Sequence, residues 1–70
     1  MQALVFNTTT KTIELYEGFS NEGKTILRMD NISTVKVRED FYEVMQKEEF
    51  DKTYPVLRVP ILNTNMFIEK

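Results

Sequence analysis

The sequence predicts an all-β fold: a small antiparallel meander sheet, curled or barrel-like, built from six or seven short strands. Two observations predict it. Apolar and β-branched residues recur at every second position in several short segments, which is the period of a strand with one buried face. Clusters of turn-forming residues separate these segments. The chain has 70 residues, of which 41% are hydrophobic, so we expect one small domain with a core, covering residues 1–70.

The first two strands are predicted at residues 3–6 and 11–16, where they form a hairpin. In the second segment Ile13 and Leu15 alternate with polar neighbours, so one face of the strand is apolar and the other is polar. The polar run at residues 7–10 is typical of the turn that joins them.

Residues 17–23 contain both glycines of the chain and are predicted to form a loop. The run from Gly18 to Thr25 also has the spacing of a nucleotide-binding P-loop, with Lys24 before the final threonine. A P-loop binds phosphate at the start of a helix, whereas the residues after Lys24 have the pattern of a strand. Glu22 would add a negative charge where the phosphate lies. A hairpin loop is therefore preferred, and a nucleotide site at Lys24 and Thr25 is the alternative.

Further strands are predicted at residues 24–29, 32–38, 54–62 and 66–69. The segment 32–38 alternates between apolar and polar residues, with Val35 and Val37 on one face. In 54–62, alternation places Leu57, Val59 and Ile61 on one face and Val56 and Arg58 on the other. Turn-forming residues such as the Asp-Asn pair at 30–31 separate the segments. The segment 54–62 contains both prolines of the chain. Because proline donates no ladder hydrogen bond, this segment is predicted to be an edge strand or to be interrupted at its ends.

Residues 39–52 permit two interpretations. A helix over 40–51 is favoured by a cap-like aspartate at its start and by apolar residues at helical spacing after it. That spacing fails one turn later, where Glu48 and Glu49 fall on the apolar side. We therefore prefer a strand that forms a hairpin with residues 54–62. The helix would change the fold class to α+β.

The predicted core consists of the apolar residues that share one face of each strand. They are Leu4, Phe6, Ile13, Leu15, Leu27, Met29, Val35, Val37, Val44, Leu57, Val59, Ile61, Met66 and Ile68. No disulfide can support this core, because the chain contains no cysteine. The stability margin of so small a domain is thin, which favours self-association as a homodimer.

The composition argues against an enzyme. The chain has no His, Cys or Trp, which removes the common general base at neutral pH, the thiol nucleophile and the ligands of structural zinc. The paired acids Glu39 and Asp40, and the group Glu48, Glu49 and Asp51, lie in predicted turns or charged segments where carboxylates are simply solvated. We expect no catalytic residue, no cofactor and no metal ion.

The charge and hydropathy patterns favour a cytoplasmic protein. The first residues are too short an apolar run for a secretory leader and lack a basic start. No apolar run approaches the roughly 20 residues that span a bilayer, so no membrane association is expected. The net charge of −2 is too balanced to predict bulk attraction to nucleic acid.

The first functional hypothesis is a small non-enzymatic protein-binding module that regulates or inhibits a larger protein. Its size and acidic balance are typical of accessory proteins of bacteriophages and mobile elements. Aromatic residues close to charged ones often mark partner surfaces, and four such aromatics are candidate contacts. They are Phe19, Phe41, Tyr42 and Phe50.

The alternative hypothesis is a small β-barrel that binds nucleic acid through a basic sheet face. Four bases fall within predicted strands, and they are equally candidate contacts for a protein partner. They are Arg28, Lys36, Arg38 and Arg58. The acids lie mainly in the connections, so a meander would have one basic face with an acidic rim. A simpler interpretation is that these bases only keep the sheet soluble and block its edges. An acidic cluster over residues 39–51 could also imitate nucleic-acid phosphates.

Overall fold

The computed structural model describes residues 1–47, 50 and 52–70, and these form seven strands without an α-helix. The strands are β1 (Gln2–Asn7), β2 (Thr12–Glu17), β3 (Thr25–Met29), β4 (Ile32–Val37), β5 (Phe41–Lys47), β6 (Thr53–Pro60) and β7 (Thr64–Glu69). The predicted all-β class is confirmed. The strand interpretation is also confirmed for residues 41–47, while residues 48, 49 and 51 lie outside the described residues.

The strands are arranged in two sheets with the orders β3-β2-β1-β7 and β4-β5-β6. The predicted N-terminal hairpin is β1–β2, and the predicted second hairpin is β5–β6; both are antiparallel. One pair lies outside a meander, because β1 and β7 are parallel neighbours. The described strands thus form two open sheets rather than a closed barrel.

Two short connections carry the chain from one sheet to the other. Residues 30–31 join β3 to β4, and residues 61–63 join β6 to β7. Each connection contains an asparagine with positive φ, 59° at Asn31 and 64° at Asn63, a conformation that asparagine adopts more readily than most residues. The backbone N–H of Ile32 donates to the carbonyl of Lys11 at 2.9 Å, which ties the first connection to the β1–β2 turn.

The core lies between the two sheets. Its centre consists of three buried residues from each sheet: Leu4, Phe6 and Ile13 from the larger, and Ile32, Val44 and Val59 from the smaller. Partly buried residues pack around this centre: Leu15, Met29, Val35, Tyr42, Val56, Leu57 and Met66. Leu27 and Ile61 are half-buried as well. Most of the predicted core is therefore confirmed, and Ile32 is an addition to it.

Two predicted core residues are wrong. Val37 is 70% exposed and Ile68 is 59% exposed. The register places Val37 level with Tyr42 and Ile68 level with Phe6, so both point to the core side of their sheets. Each lies near the end of an edge strand, where the exposed fractions show that the opposite sheet does not cover it.

The loop between Gly18 and Lys24 is the connection of the β2–β3 hairpin. The N–H of Glu17 donates to the carbonyl of Lys24 at 2.9 Å and closes the loop. The next residue, Thr25, begins a strand. The helix N-terminus that a P-loop requires does not follow Lys24, and this supports the hairpin-loop interpretation.

Candidate functional site

The outer face of the three-stranded sheet brings four of the predicted contact residues together around an acid. The register pairs Glu43 of β5 with Lys36 of β4 and with Arg58 of β6. Paired residues on neighbouring strands project to the same side of the sheet, and here that side is opposite the core. We call this surface the Glu43 face. Its members are Lys36, Arg38, Phe41, Glu43 and Arg58.

Glu43 holds two arginines in place. Its Oε1 accepts hydrogen bonds from Nε and Nη2 of Arg38 at 3.3 and 3.0 Å, and its Oε2 accepts one from Nε of Arg58 at 3.2 Å. Only 7% of Glu43 is exposed, because the two arginine side chains lie against it. Burying a charged carboxylate is unfavourable in free energy unless hydrogen-bond donors replace the lost water, and the two arginines supply these donors.

Arg58 also lies over an aromatic ring. Its guanidinium carbon is 5.1 Å from the centre of the Phe41 ring, within the range of a cation–π contact. Phe41 and Arg58 lie side by side in space because β5 and β6 pair antiparallel. The Nε of Arg58 is bonded to Glu43, and its two Nη groups have no hydrogen-bond partner among the described residues. The Arg58 side chain is 65% exposed, so these two contacts orient the guanidinium while solvent still reaches it.

A shallow cleft borders this pair of side chains. It has a volume of about 270 Å³ and is lined by Asp40, Phe41, Arg58 and Pro60. The β4–β5 turn contributes Asp40 to this lining, and the turn is closed by the N–H of Arg38, which donates to the carbonyl of Phe41 at 2.9 Å. The N–H of Ile61 donates to the carbonyl of Asp40 at 3.1 Å and links this turn to the end of β6. The cleft walls are therefore held by backbone hydrogen bonds.

The other four predicted contact residues do not join this surface. Arg28 lies on β3 of the other sheet, in an exposed ion pair with Asp30 at 3.5 Å. Tyr42 packs against the core. Phe19 is in the β2–β3 loop, and Phe50 is almost fully exposed. The four bases consequently do not form one continuous basic face.

Glu43 is the residue of this candidate site that sequence reasoning missed. The alternation of β5 already places Phe41 and Glu43 on one face, opposite the core-facing Tyr42 and Val44. What the sequence does not reveal is the register, which sets Glu43 between two bases rather than beside turn residues. An acid at the centre of a strand flanked by two strands with bases is the signal that could have identified it.

The pKa of Glu43 is lowered from its ordinary value of 4.5. The hydrogen bonds from Arg38 contribute most, desolvation opposes them, and the hydrogen bond and charge of Arg58 add to the lowering. A lowered pKa means that the folded protein binds fewer protons than the unfolded chain. The stabilisation by Glu43 is therefore complete above the unfolded value and is lost as the pH falls through the folded value.

We expect the substitution Glu43→Gln to remove this pH dependence. The difference in unfolding free energy between the wild type and Glu43→Gln should be largest at neutral pH and should shrink as the pH falls below 4.5. Urea denaturation followed by circular dichroism across this range measures it. The control is Asp30→Asn, which removes an exposed ion pair and should change stability at neutral pH by less than about 1 kcal/mol. A wild-type advantage over Glu43→Gln that stays constant in acid would contradict the prediction.

The described part of the chain shows no metal centre. No three potential ligands among His, Cys, Asp and Glu come together in residues 1–47, 50 and 52–70. Glu39 and Asp40 lie in the exposed β4–β5 turn, while Glu48, Glu49 and Asp51 are outside the described residues. No helix in the described ranges is long and apolar enough to span a bilayer.

The fold and this surface define an all-β domain of two open sheets, with an outer face in which a carboxylate orders two arginines. Comparison of the chain with protein-family models, with curated proteins and with solved structures gives no match. Its function is therefore inferred from its own residues.

Proposed function

We propose that this protein is a cytoplasmic, non-enzymatic protein-binding module that docks on a larger protein through the Glu43 face and regulates or inhibits it. The observation that carries the proposal is the position of Arg58, held between Glu43 and the Phe41 ring with its two Nη groups toward solvent. Arginine and aromatic residues are the types that most often dominate the energetics of protein interfaces.

The fixed position of the arginines favours tight binding. Ordering a long side chain at an interface costs about 0.5–1.5 kcal/mol. Glu43 and Phe41 order Arg58 before the partner arrives, so less of this cost remains at the moment of binding. The pair of free Nη groups suits a carboxylate of the partner, which a guanidinium binds through two parallel hydrogen bonds. The adjoining cleft has room for an apolar side chain beside that carboxylate.

The same surface gives less support to nucleic-acid binding. Lys36, Arg38 and Arg58 share their face with Glu43, and Asp40 lines the cleft. Two negative charges thus offset most of the positive charge that phosphates need. Arg28, the fourth candidate base, is on the other sheet.

We expect the substitution Arg58→Ala to weaken partner capture by about 10-fold or more, since truncating an arginine that is a hot spot of an interface costs about 2 kcal/mol or more. The tagged chain is recovered from its native cells, the stoichiometric partner is identified by mass spectrometry, and its affinity is measured with purified components. The matched control is Arg28→Ala, a comparably exposed arginine on the other sheet, which should bind as the wild type does.

Two results would overturn the proposal. One is a wild-type chain that brings down no stoichiometric protein, and the other is a partner that Arg58→Ala and Arg28→Ala bind equally well. Thermal unfolding of both variants confirms that they are folded. An oligonucleotide mobility shift at low salt that Arg58→Ala abolishes would instead favour the nucleic-acid alternative.

A further inference from the structure

Three of the four edge strands carry features that prevent another strand from pairing with them. The edge strands are β3, β4, β6 and β7. Natural sheets protect exposed edges with bulges, prolines and charges, because unpaired N–H and C=O groups invite further strands. The register shifts show one extra residue in each of β3, β4 and β6, namely Ile26, Ser33 and Val56. β6 also contains both prolines of the chain.

The fourth edge strand, β7, has neither a bulge nor a proline, and its single charged residue, Glu69, is at its C-terminal end. Its six residues pair with β1 in continuous register from Gln2↔Thr64 to Asn7↔Glu69, and the strand contains no proline. The middle of the strand is apolar. Phe67 is 39% exposed on the outer side of the sheet, and Ile68 is 59% exposed on the core side. The β2–β3 loop contacts the outer side of β7, where Nδ2 of Asn65 donates to the carbonyl of Phe19 at 3.1 Å, but it forms no ladder with the strand. An apolar edge in regular register, without bulge or proline, is the arrangement that accepts another strand.

The hydrogen bonds to β1 determine which backbone groups of β7 face outward. Gln2 N–H donates to the Asn63 carbonyl at 3.0 Å, and Thr8 N–H donates to the Glu69 carbonyl at 2.8 Å. In a parallel pair, every second residue of a strand bonds to the same neighbour. The odd-numbered residues of β7 therefore face β1. The even-numbered residues, Met66 and Ile68 among them, present N–H and C=O to the free edge.

We propose that β7 pairs antiparallel with β7 of a second copy of the chain, with the two-fold axis passing through Phe67. In this register the outward-facing residues oppose each other as antiparallel hydrogen bonding requires, with Met66 of each copy opposite Ile68 of the other. The two Phe67 rings meet on the outer side. Asn65 lies opposite Glu69 at each end, so apolar residues pair with apolar ones and polar with polar ones. The two four-stranded sheets become one sheet of eight strands.

The two neighbouring registers are less favourable. An axis through Ile68 places Phe67 opposite Glu69 and Met66 opposite Lys70, so apolar residues meet charged ones. An axis through Met66 also matches outward-facing residues, but it places Ile68 opposite Thr64 and Phe67 opposite Asn65. That arrangement loses the aromatic pair, which contributes about 0.5–1.5 kcal/mol beyond its buried area. The sequence of β7 is thus self-complementary about Phe67. This dimer leaves the Glu43 face free, because that face belongs to the other sheet, and it does not depend on the proposed function.

The oligomeric state tests the pairing. Light scattering at sub-millimolar concentration should give twice the chain mass of 8.3 kDa. The substitution Ile68→Lys places a charge on the edge and should yield a monomer. The matched control is Ile26→Lys, which makes the same change at a residue that is 50% exposed on β3, and it should remain a dimer. The proposal is overturned if the wild type is a monomer or if Ile68→Lys still forms the dimer. It is also overturned if Ile26→Lys alone abolishes the dimer.

Disulfide crosslinking tests the register independently, since the chain has no cysteine of its own. The two Phe67 residues form a non-hydrogen-bonded pair with Cα atoms about 4.5 Å apart, close enough for a disulfide. Phe67→Cys should crosslink into a covalent dimer with oxidised glutathione. Asn65→Cys should not, because the register separates the two copies of this residue by four positions, or about 14 Å. Equal crosslinking by both variants, or none by Phe67→Cys, overturns the register.

Discussion

Replacing Leu4 by alanine is expected to lower the unfolding free energy by about 2–5 kcal/mol, the range for removing a fully buried leucine. Leu4 has no exposed surface and contributes to the core from the central strand β1, where β2 and β7 on either side limit its collapse into the cavity. A domain of this size rarely has more than about 3–5 kcal/mol of stability. The variant should therefore be largely unfolded near room temperature, and urea denaturation at low temperature measures the loss.

The same substitution at Leu62 provides the control. Leu62 lies in the connection between β6 and β7 and is mostly exposed, so Leu62→Ala removes the same atoms without leaving a cavity. Its effect should stay within about 0.5 kcal/mol. If the two variants lost similar stability, the core would not lie between the two sheets as described.

Local pattern was sufficient to predict the strands, but at one segment it left two interpretations open that strand pairing decides. The segment at residues 41–47 shows why. Its apolar residues fit both a helical and an alternating spacing, and the strand forms because β4 and β6 lie on either side of it and bond to it. Tertiary pairing outweighs intrinsic preference in such a short element.

The errors in the predicted core arise from bulges and from sheet coverage. Strict alternation places Ile32 with Thr34 on the polar side of β4, but the extra residue Ser33 shifts the phase and turns Ile32 into the core. The extra residue Val56 in β6 likewise packs against the core although alternation assigns it to the outer face. Alternation identifies the face of the sheet on which a residue lies, but it does not show whether the opposite sheet covers that position. Val37 is on the core side and is nevertheless exposed for this reason.

The parallel pair β1–β7 and the centre of the Glu43 face could not be predicted for a related reason. Gln2 and Thr64 are paired although 62 positions separate them, and no local pattern specifies a partner so far along the chain. The bases Lys36, Arg38 and Arg58 were identified from their strand positions. The acid between them emerged only from the register of three strands, because a one-residue shift would move Glu43 opposite different neighbours.

The second large effect is expected for Gly23→Ala, which should lower the unfolding free energy by about 2–4 kcal/mol through overpacking and a weakened hydrogen bond. A Cβ atom at Gly23 would lie 1.8 Å from the carbonyl oxygen of Glu17, so backbone must move to admit it. The movement strains the bond from Glu17 N–H to the Lys24 carbonyl that closes the β2–β3 hairpin. Thermal and urea unfolding of the purified variant measure the loss.

The control is Gly18→Ala, which distinguishes the destabilisation caused by the close contact at Gly23 from that caused by backbone strain. Gly18 has a φ of 82°, and a Cβ there would meet no atom within 4 Å, so the variant bears only the cost of a left-handed alanine, about 1–2 kcal/mol. Gly23 has no positive φ, so its cost comes from the contact alone. The loop geometry therefore requires Gly23→Ala to be the more damaging of the two. A reversed order would mean that the chain does not approach Glu17 at this position, and that the hairpin closes in another way.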